Sequence, residues 1–462
     1  MTETKLKART VLVRFQKALQ ILQREGVRPL FDRILAKISA NHEMSISPLG
    51  EIKWPASTPP PVYFVGKKLS GSRLKEAILR NMTHDRYILA LSHNDYTQNV
   101  GGVQLKIADE QVAENDREIS YLHIFPYGAR QTLVFDDECP VSGINLDGRE
   151  IGFVNEETLL EVIKELPGKQ VSEVRIHHSM GFKMKYIQDL LDTLNNPRVK
   201  FWLHDFFSVC PGYLLLRNNV EYCGAPDIDS NACQICMYGN LRYQHLEAFE
   251  SLFLNKSIGV IAPSDFALSL WQEKFPIKNY PGTVCPHAQL AWKEKKPVIP
   301  RNSKLKVAFV GYPMMHKGWC TWLTLTSKLQ GDPRYHFYLF SSRRPFSRNF
   351  TRVSVAVTKE KRSKMLQVLQ ENKIDIAFLW SICPETFSFT LYESLAAGCY
   401  ILTNKNSGNI QNFIHQYPQF GLVVKEEEAL LDLFSSGEII RLIGTYQKDG
   451  RPTAEILNNT KC

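Results

Sequence analysis

The stretch PETFSFTLYESLAAG, Pro384 to Gly398, carries two glutamates eight positions apart, Glu385 and Glu393. An ionised carboxylate only accepts hydrogen bonds, and its two oxygens can take both hydrogens of a vicinal diol. Upstream, the apolar run IDIAFLW (374–380) reads as a buried strand and Ser381 to Phe387 as a loop. From about Ser388 the pattern reads as a helix that Gly398 stops. A helix N-terminus offers unpaired backbone N–H groups and a partial positive charge, which suit a phosphate. Glu385 then lies just before that helix end and Glu393 just over a turn into it. Two carboxylates flanking a phosphate-binding helix end can hold a sugar on one side and a ribose on the other, which describes a nucleotide-sugar.

Other residues able to do chemistry sit at the ends of other apolar runs. In VAFVGYPMMHKGW (307–319) a strand meets Gly311 and then Lys317-Gly318 before a helix. Lys317 can neutralise a phosphate through a charged hydrogen bond worth about 1.5–3 kcal/mol, and Gly318 lets the backbone approach it. SHNDYTQNVGGVQ (92–104) is a polar turn with Asn99 and the pair Gly101 and Gly102. VRIHHSMG (174–181) ends a strand with His177 and His178, and FWLHDFFSVCP (201–211) ends the next with His204 and Asp205. Asp205 reads equally as a carboxylate that orients or deprotonates a hydroxyl and as the cap of the following turn. Cys210, Cys223, Cys233 and Cys236 follow in a turn-rich segment. The C-x2-C pair suggests four thiolates on a structural zinc, but C-x12-C-x9-C-x2-C is no standard finger, and free thiols stay open beside zinc.

The elements that must position these residues alternate. Apolar strands are expected over 86–94, 119–125, 173–178, 200–205 and 258–264, then over 306–312, 336–342, 374–380 and 400–404. Helices are expected over 102–115, 318–330 and 389–397. Such alternation implies parallel sheets covered on both faces, with ligands at the carboxyl ends of the strands. The charged, proline-containing segment 293–304 splits the pattern into two doubly wound halves, and a chain of 462 residues is long enough for both. The expected organisation is a basic helical extension with a Pro-rich linker (1–62), an N-terminal α/β domain (63–292) with the cysteine loop 210–236, the linker, and a C-terminal α/β domain (305–462).

At 44% hydrophobic and 22% charged residues the chain is globular. It holds no apolar run of the roughly 18 residues that span a bilayer and no secretory leader, so a cytoplasmic location is expected. The net charge of +9 is concentrated at the start: residues 1–40 hold nine Lys or Arg against three acids, a balance of +6. Residues 8–23 and 31–38 repeat apolar positions at helical spacing. They read either as basic amphipathic helices on an anionic membrane surface or as a hairpin on the main body. No nucleic-acid-binding motif accompanies them, and no nucleic-acid partner is expected.

E-x7-E with S-L-A-A-G behind an apolar strand resembles the C-terminal domain of GT-B fold glycosyltransferases, family 4 in particular, of the bacterial O-antigen, capsule and exopolysaccharide type. The resemblance covers about residues 86–425. It implies two Rossmann-like domains facing a central cleft, with acceptor bound by the first and nucleotide-sugar by the second. It gives Glu385 the donor-sugar hydroxyls and Glu393 the ribose, with Gly311, Lys317, Gly318, Phe387, Ser388, Phe389 and Thr390 around the donor. His177 or His178 then touches the donor, and Gly101 and Gly102, with Asn99 and His204, form the loop that faces phosphate and acceptor. It further implies retention of configuration, no metal or other cofactor for catalysis, and a lipid-linked saccharide acceptor met at the inner face of the membrane. One departure is Tyr312, where the family usually has an arginine after the glycine; Arg343 or Arg344 is the candidate replacement. That departure keeps open a catalytically inactive scaffold or sugar-binding subunit.

Overall fold

The structure, a computed structural model, describes residues 64 and 66–459 apart from 129–130, 136–139, 294–303, 344, 346, 359–360 and 449. The chain divides into two units, Met1–Lys68 and Leu69–Cys462. The expected basic helices, the Pro-rich linker, nearly all of the 293–304 linker and Arg344 lie outside the described residues. Among the described residues, no helix is long and apolar enough to cross a membrane.

Within Leu69–Cys462 the chain builds two large sheets. The first contains β1 (Arg86–Leu91), β2 (Ser120–Pro126), β3 (Val141–Leu146), β4 (Arg149–Asn155), β5 (Gln170–Ile176), β6 (Val199–Trp202), β9 (Ile258–Ala262) and β10 (Gly282–Val284). Its order is β10-β9-β6-β5-β1-β2-β3-β4, parallel except for the antiparallel hairpin β3–β4 at one edge. Between β6 and β9 lies a two-residue ribbon, β7 (Leu216–Arg217) with β8 (Glu221–Tyr222). The second sheet contains β12 (Leu305–Val310), β13 (Tyr335–Ser341), β14 (Thr351–Ser354), β15 (Ile376–Phe378), β16 (Tyr400–Asn404) and β17 (Gly421–Val424). It is wholly parallel in the order β14-β13-β12-β15-β16-β17, the dinucleotide-fold order 3-2-1-4-5-6. The structure is thus α/β with two doubly wound domains, the GT-B arrangement. Each sheet has its own apolar core: Leu89, Ile124, Val174 and Phe249 belong to the first, Val307, Trp322, Ile376 and Leu395 to the second.

Chain order reverses where β1 lies between β2 and β5, and again where β12 lies between β13 and β15. Loops leaving opposite sides of such a point splay apart and open a crevice at the strands' carboxyl ends. The candidate residues follow those strands. Several strands end earlier than the apolar pattern predicts, for local reasons. His177 and His178 both donate backbone N–H bonds to Leu91 O (2.8 and 3.2 Å), so they sit just past β5. Gly311, at φ +115°, turns the chain out of the sheet after β12.

The β3–β4 hairpin and a crossing ribbon have no counterpart in the sequence reading. In the ribbon, β11 (Ala288–Trp292) pairs antiparallel with β18 (Ala454–Asn458), Ala288 opposite Asn458.

Two loops of the second domain are stitched together at their bases. Ile382 donates its N–H to His316 O (2.9 Å), as does Ser381 Oγ (3.1 Å). Gly318 allows this closeness: at φ +81°, a Cβ there would fall 2.1 Å from Trp380 O. Gly318→Ala is therefore expected to lose about 2 kcal/mol or more of stability, read as a lower midpoint in denaturant unfolding.

Candidate active site

Two adjoining cavities lie at the carboxyl ends of the strands. One, of about 610 Å³, is bounded by Gly101, Gly311, Tyr312, Ser341, Arg362 and Glu393 among others. The other, of about 400 Å³, is bounded by His204, Asp205, His287, Lys317, Glu385 and Ser388 among others. Gly102, Phe389 and Thr390 border both. The junction is thus the first turn of the Phe389–Ala396 helix, with one glutamate of the E-x7-E pair in each cavity.

That helix start opens onto both cavities. Ser388 caps it, its Oγ accepting from Leu391 N (3.3 Å). The N–H groups of Phe389 and Thr390 have no partner among the described residues. Gly102 approaches from the first domain so closely that a Cβ there would meet the Phe389 ring at 3.5 Å. The two domains also touch through hydrogen bonds. Thr386 Oγ1 donates to His204 O (2.5 Å), and Ser264 Oγ to Thr386 O (2.7 Å). Arg362 pairs with Asp109 at 2.5 Å.

Glu393 lines the larger cavity without a hydrogen-bond or ion-pair partner among the described residues, and burial pushes its carboxyl up to about 8. A carboxyl left unpaired in a desolvated wall costs folding free energy that a ligand lying against it can offset. In the smaller cavity Lys317 Nζ is ion-paired with Glu385 Oε1. Burial would lower the lysine, but Glu385 outweighs it and holds the ammonium above its ordinary range. The Glu385 backbone is pinned to the Gly408 loop, with its N–H on Ser407 O (3.4 Å) and its O accepting from Asn409 N (2.8 Å). Tyr312 is half-exposed, and the Arg343 guanidinium sits over its ring at 6.0 Å.

The first domain supplies histidines. His178 Nδ1 accepts from Met180 N (3.0 Å), so its other nitrogen carries the hydrogen donated to Asp205 Oδ2 (3.0 Å). Asp205 Oδ1 accepts from Phe207 N (2.9 Å), the turn-capping arrangement. Burial alone would raise Asp205, but His178 and these hydrogen bonds hold it below its ordinary value, so it is a weak base as it stands. His177 and His178 are buried behind the cavity wall and do not line it; His204 and Asp205 do.

Most of the expected residues come together. Asn99 does not: it is exposed, and its amide bonds back to Asp95 O (3.0 Å). Gly318 serves the contact with Trp380 and borders neither cavity. Sequence reasoning missed Arg362, Thr386 and His287. Of these only His287 carried a signal, standing in PHAQ just before an apolar pair.

Cys210, Cys223, Cys233 and Cys236 line one small separate cavity with Arg242. All four are free thiols, and among the described residues no three His, Cys, Asp or Glu side chains are spaced to hold a metal ion. The expected zinc is therefore not preformed in these side chains: Arg242 Nη1 takes Cys233 Sγ at 2.8 Å, and Cys223 Sγ donates to Leu215 O at 3.2 Å.

No family model matches the chain, and no curated protein matches it. Among solved structures, sucrose-phosphate synthase from Thermosynechococcus elongatus is similar at 14% identity and a TM-score of 0.48, over 79% of this chain and 93% of that one. HepE from Anabaena in complex with UDP-glucose is similar at 11% identity and 0.46, over 78% and 93%. The pneumococcal O-GlcNAc transferase GtfA in complex with UDP and GlcNAc is similar at 9% and 0.48, over 79% and 95%. At identities and scores this low the likeness carries nothing about activity, and the site is read from its own geometry.

The raised Glu393 carboxyl sets a pH dependence of stability. Because the folded value (about 8) lies above the ordinary value of 4.5, the protein loses stability as pH rises through that window. Glu393→Gln is expected to unfold at a higher temperature than wild type at pH 8, by a few kcal/mol at most. The gain should vanish towards pH 4.5, as thermal unfolding across pH checks.

Proposed function

We propose that the protein is a glycosyltransferase that moves a sugar from a nucleotide-sugar to an acceptor hydroxyl. The observation that carries this reading is the unpartnered Glu393 beside a free helix end, with Lys317 and Glu385 in the adjoining cavity. The nucleoside occupies the larger cavity with its ribose diol on Glu393. The diphosphate lies at the junction, on the N–H groups of Phe389 and Thr390 and on Lys317. The sugar occupies the smaller cavity, with its hydroxyls on Glu385. The acceptor oxygen forms a bond to the anomeric carbon while the bond from that carbon to the diphosphate oxygen breaks, and the hydroxyl proton passes to the departing diphosphate oxygen. Negative charge grows on the leaving diphosphate, where Lys317 and the helix start stabilise it.

These groups supply positive charge from the chain itself, which supports the metal-independent reaction that the family 4 resemblance implies. Retention of configuration and polysaccharide assembly rest on the same resemblance. A lipid-linked acceptor, with peripheral contact of the protein to the inner face of the membrane, also rests on the +6 balance of residues 1–40. The rival reading, an inactive sugar-binding scaffold, is favoured by Tyr312 at the position of the usual arginine.

For the cysteine loop, structural zinc stays within the proposal. Cys210 and Cys223 already accept backbone N–H bonds from Gly212 and Ala225, and Arg242 would have to release Cys233. Metal analysis of purified protein tests it. About one zinc per chain is expected; zinc at background with four titratable thiols removes it.

The main test is thermal shift of wild type and Glu393→Ala with a panel of nucleoside diphosphates and nucleotide-sugars. A stabilising shift for one base class is expected, lost in the variant. No shift with any nucleotide would overturn the reading, and binding without donor turnover would favour the scaffold.

A further inference from the structure

Beneath the smaller cavity lies a buried polar chain that the reading above does not use. Arg175 is enclosed by three carboxylates: Glu110 at 2.9 Å, Glu114 at 2.6 Å and Glu173 at 2.7 Å. Lys106, fully buried, adds a second cation 3.5 Å from Glu110. Burial alone would raise Glu110, but the hydrogen bond from His177 and the charges of Arg175 and Lys106 outweigh it and hold it well below the ordinary value, so it is a carboxylate. A carboxylate only accepts. Tyr121 Oη gives its hydrogen to the same Oε2 (3.3 Å) and lies 3.3 Å from His177 Nε2, so Nε2, 3.2 Å from Glu110 Oε2, faces only lone pairs and must carry a hydrogen. His177 is sealed from solvent, and Arg175 and Lys106 already supply positive charge at Glu110, so a third cation there is disfavoured; burial lowers the ring despite Glu110, it is neutral, and its Nδ1 is a bare acceptor.

His204 Nε2 lies 3.0 Å from that Nδ1. Two imidazoles bond only if one donates, so His204 carries its hydrogen on Nε2 and its Nδ1 is unprotonated. Nδ1 has no partner among the described residues, nor is it among the sealed polar atoms that lack one, whereas His287 Nδ1 is. His204 itself forms part of the wall that Lys317 and Glu385 share. Turning the ring over would put a carbon in place of Nε2 and lose the bond to His177, and stacking fixes its plane. It stacks on Trp202 (5.5 Å, 11° between planes) and on His287 (5.3 Å, 30°), and His287 stacks in turn on Phe389 (5.8 Å, 9°).

We infer that the chain Glu110–His177–His204 fixes the His204 tautomer so that Nδ1 presents a hydrogen-bond acceptor to a sugar hydroxyl in the smaller cavity. The inference deepens the glycosyl-transfer reading and rests on it for the ligand. The hydroxyl belongs to the donor sugar or to the acceptor. His204 touches it; Glu110 and His177 are positioning residues.

Two experiments test this. The first needs no substrate, so it stands or falls apart from glycosyl transfer. Nitrogen-15 NMR of histidine-labelled wild type is expected to show His204 protonated at Nε2 and bare at Nδ1. His177→Phe keeps a ring against Trp202 but removes the bond to Nε2, and a mixture of both His204 tautomers is expected. A wild-type His204 protonated at Nδ1 overturns the inference. The second compares wild type and His204→Phe for donor hydrolysis without acceptor and for transfer with it, using the nucleotide-sugar found by thermal shift. Loss of one neutral hydrogen bond is worth about tenfold. A tenfold fall in both rates assigns the hydroxyl to the donor sugar, and a fall in transfer alone assigns it to the acceptor. No fall in either overturns the inference.

Discussion

Parallel pairing of β12 with β15 is the constraint on which the site depends. Val307 lies opposite Ile376 and Phe309 opposite Phe378, so the loops that leave these strands emerge side by side. Neither loop has a strand partner of its own. They satisfy each other, His316 O taking two donors from Ser381 and Ile382, and a residue without a side chain lets the backbones close. Lys317 meets Glu385 because of this backbone arrangement. A lysine and a glutamate 68 positions apart are thereby held as a charged pair at the mouth of a helix.

The first domain is organised differently, around buried charge. An arginine among three carboxylates is expensive to desolvate, and its attraction offsets that cost only because the guanidinium geometry is nearly saturated. Such a network contributes little to stability compared with apolar side chains of the same volume. It does impose orientation, because each member leaves its neighbour one way to bond. The order passes from a salt-linked base at Arg175 through imidazoles to the cavity wall. The C-terminal half has fewer buried ions and leaves Glu393 unsatisfied. The first half thus pairs its buried arginine fully, while the second leaves the buried Glu393 carboxyl open to a ligand.

Much of this was legible in the sequence because parallel sheets are apolar on both faces. The runs at 86–91, 258–262, 305–310 and 400–404 announce themselves as strands. The places of Glu385 and Glu393 could be read from their spacing, since a loop followed by a helical turn and a half carries the two carboxylates to either side of the helix start. Other features had no local signature. Strand β18 exists only through β11, some 160 positions away, and nothing in AEILN distinguishes it from a loop. The roles of Arg175 and Glu110 were hidden, because a charged residue in a strand or helix reads as solvated until its partners are known. The histidines were visible as candidates. Which of them faces the cavity depended on where β5 and β6 end, a boundary that periodicity does not fix.

The ribbon of β11 and β18 also ties the two halves together. The chain passes between the two domains once after β11 and returns through β18, and Asn459 then donates its N–H to His287 O while its carbonyl accepts from Lys106 Nζ. The halves are therefore joined by a two-ply strap whose plies are hydrogen-bonded to one another. A strap of that kind resists bending across its width and yields more easily to torsion along its length. Opening of the cleft should accordingly be a rolling of one half over the other about the ribbon axis. Glu455, Ile456 and Asn458 on the returning ply also border the larger cavity, so whatever fills that cavity bears on the axis itself.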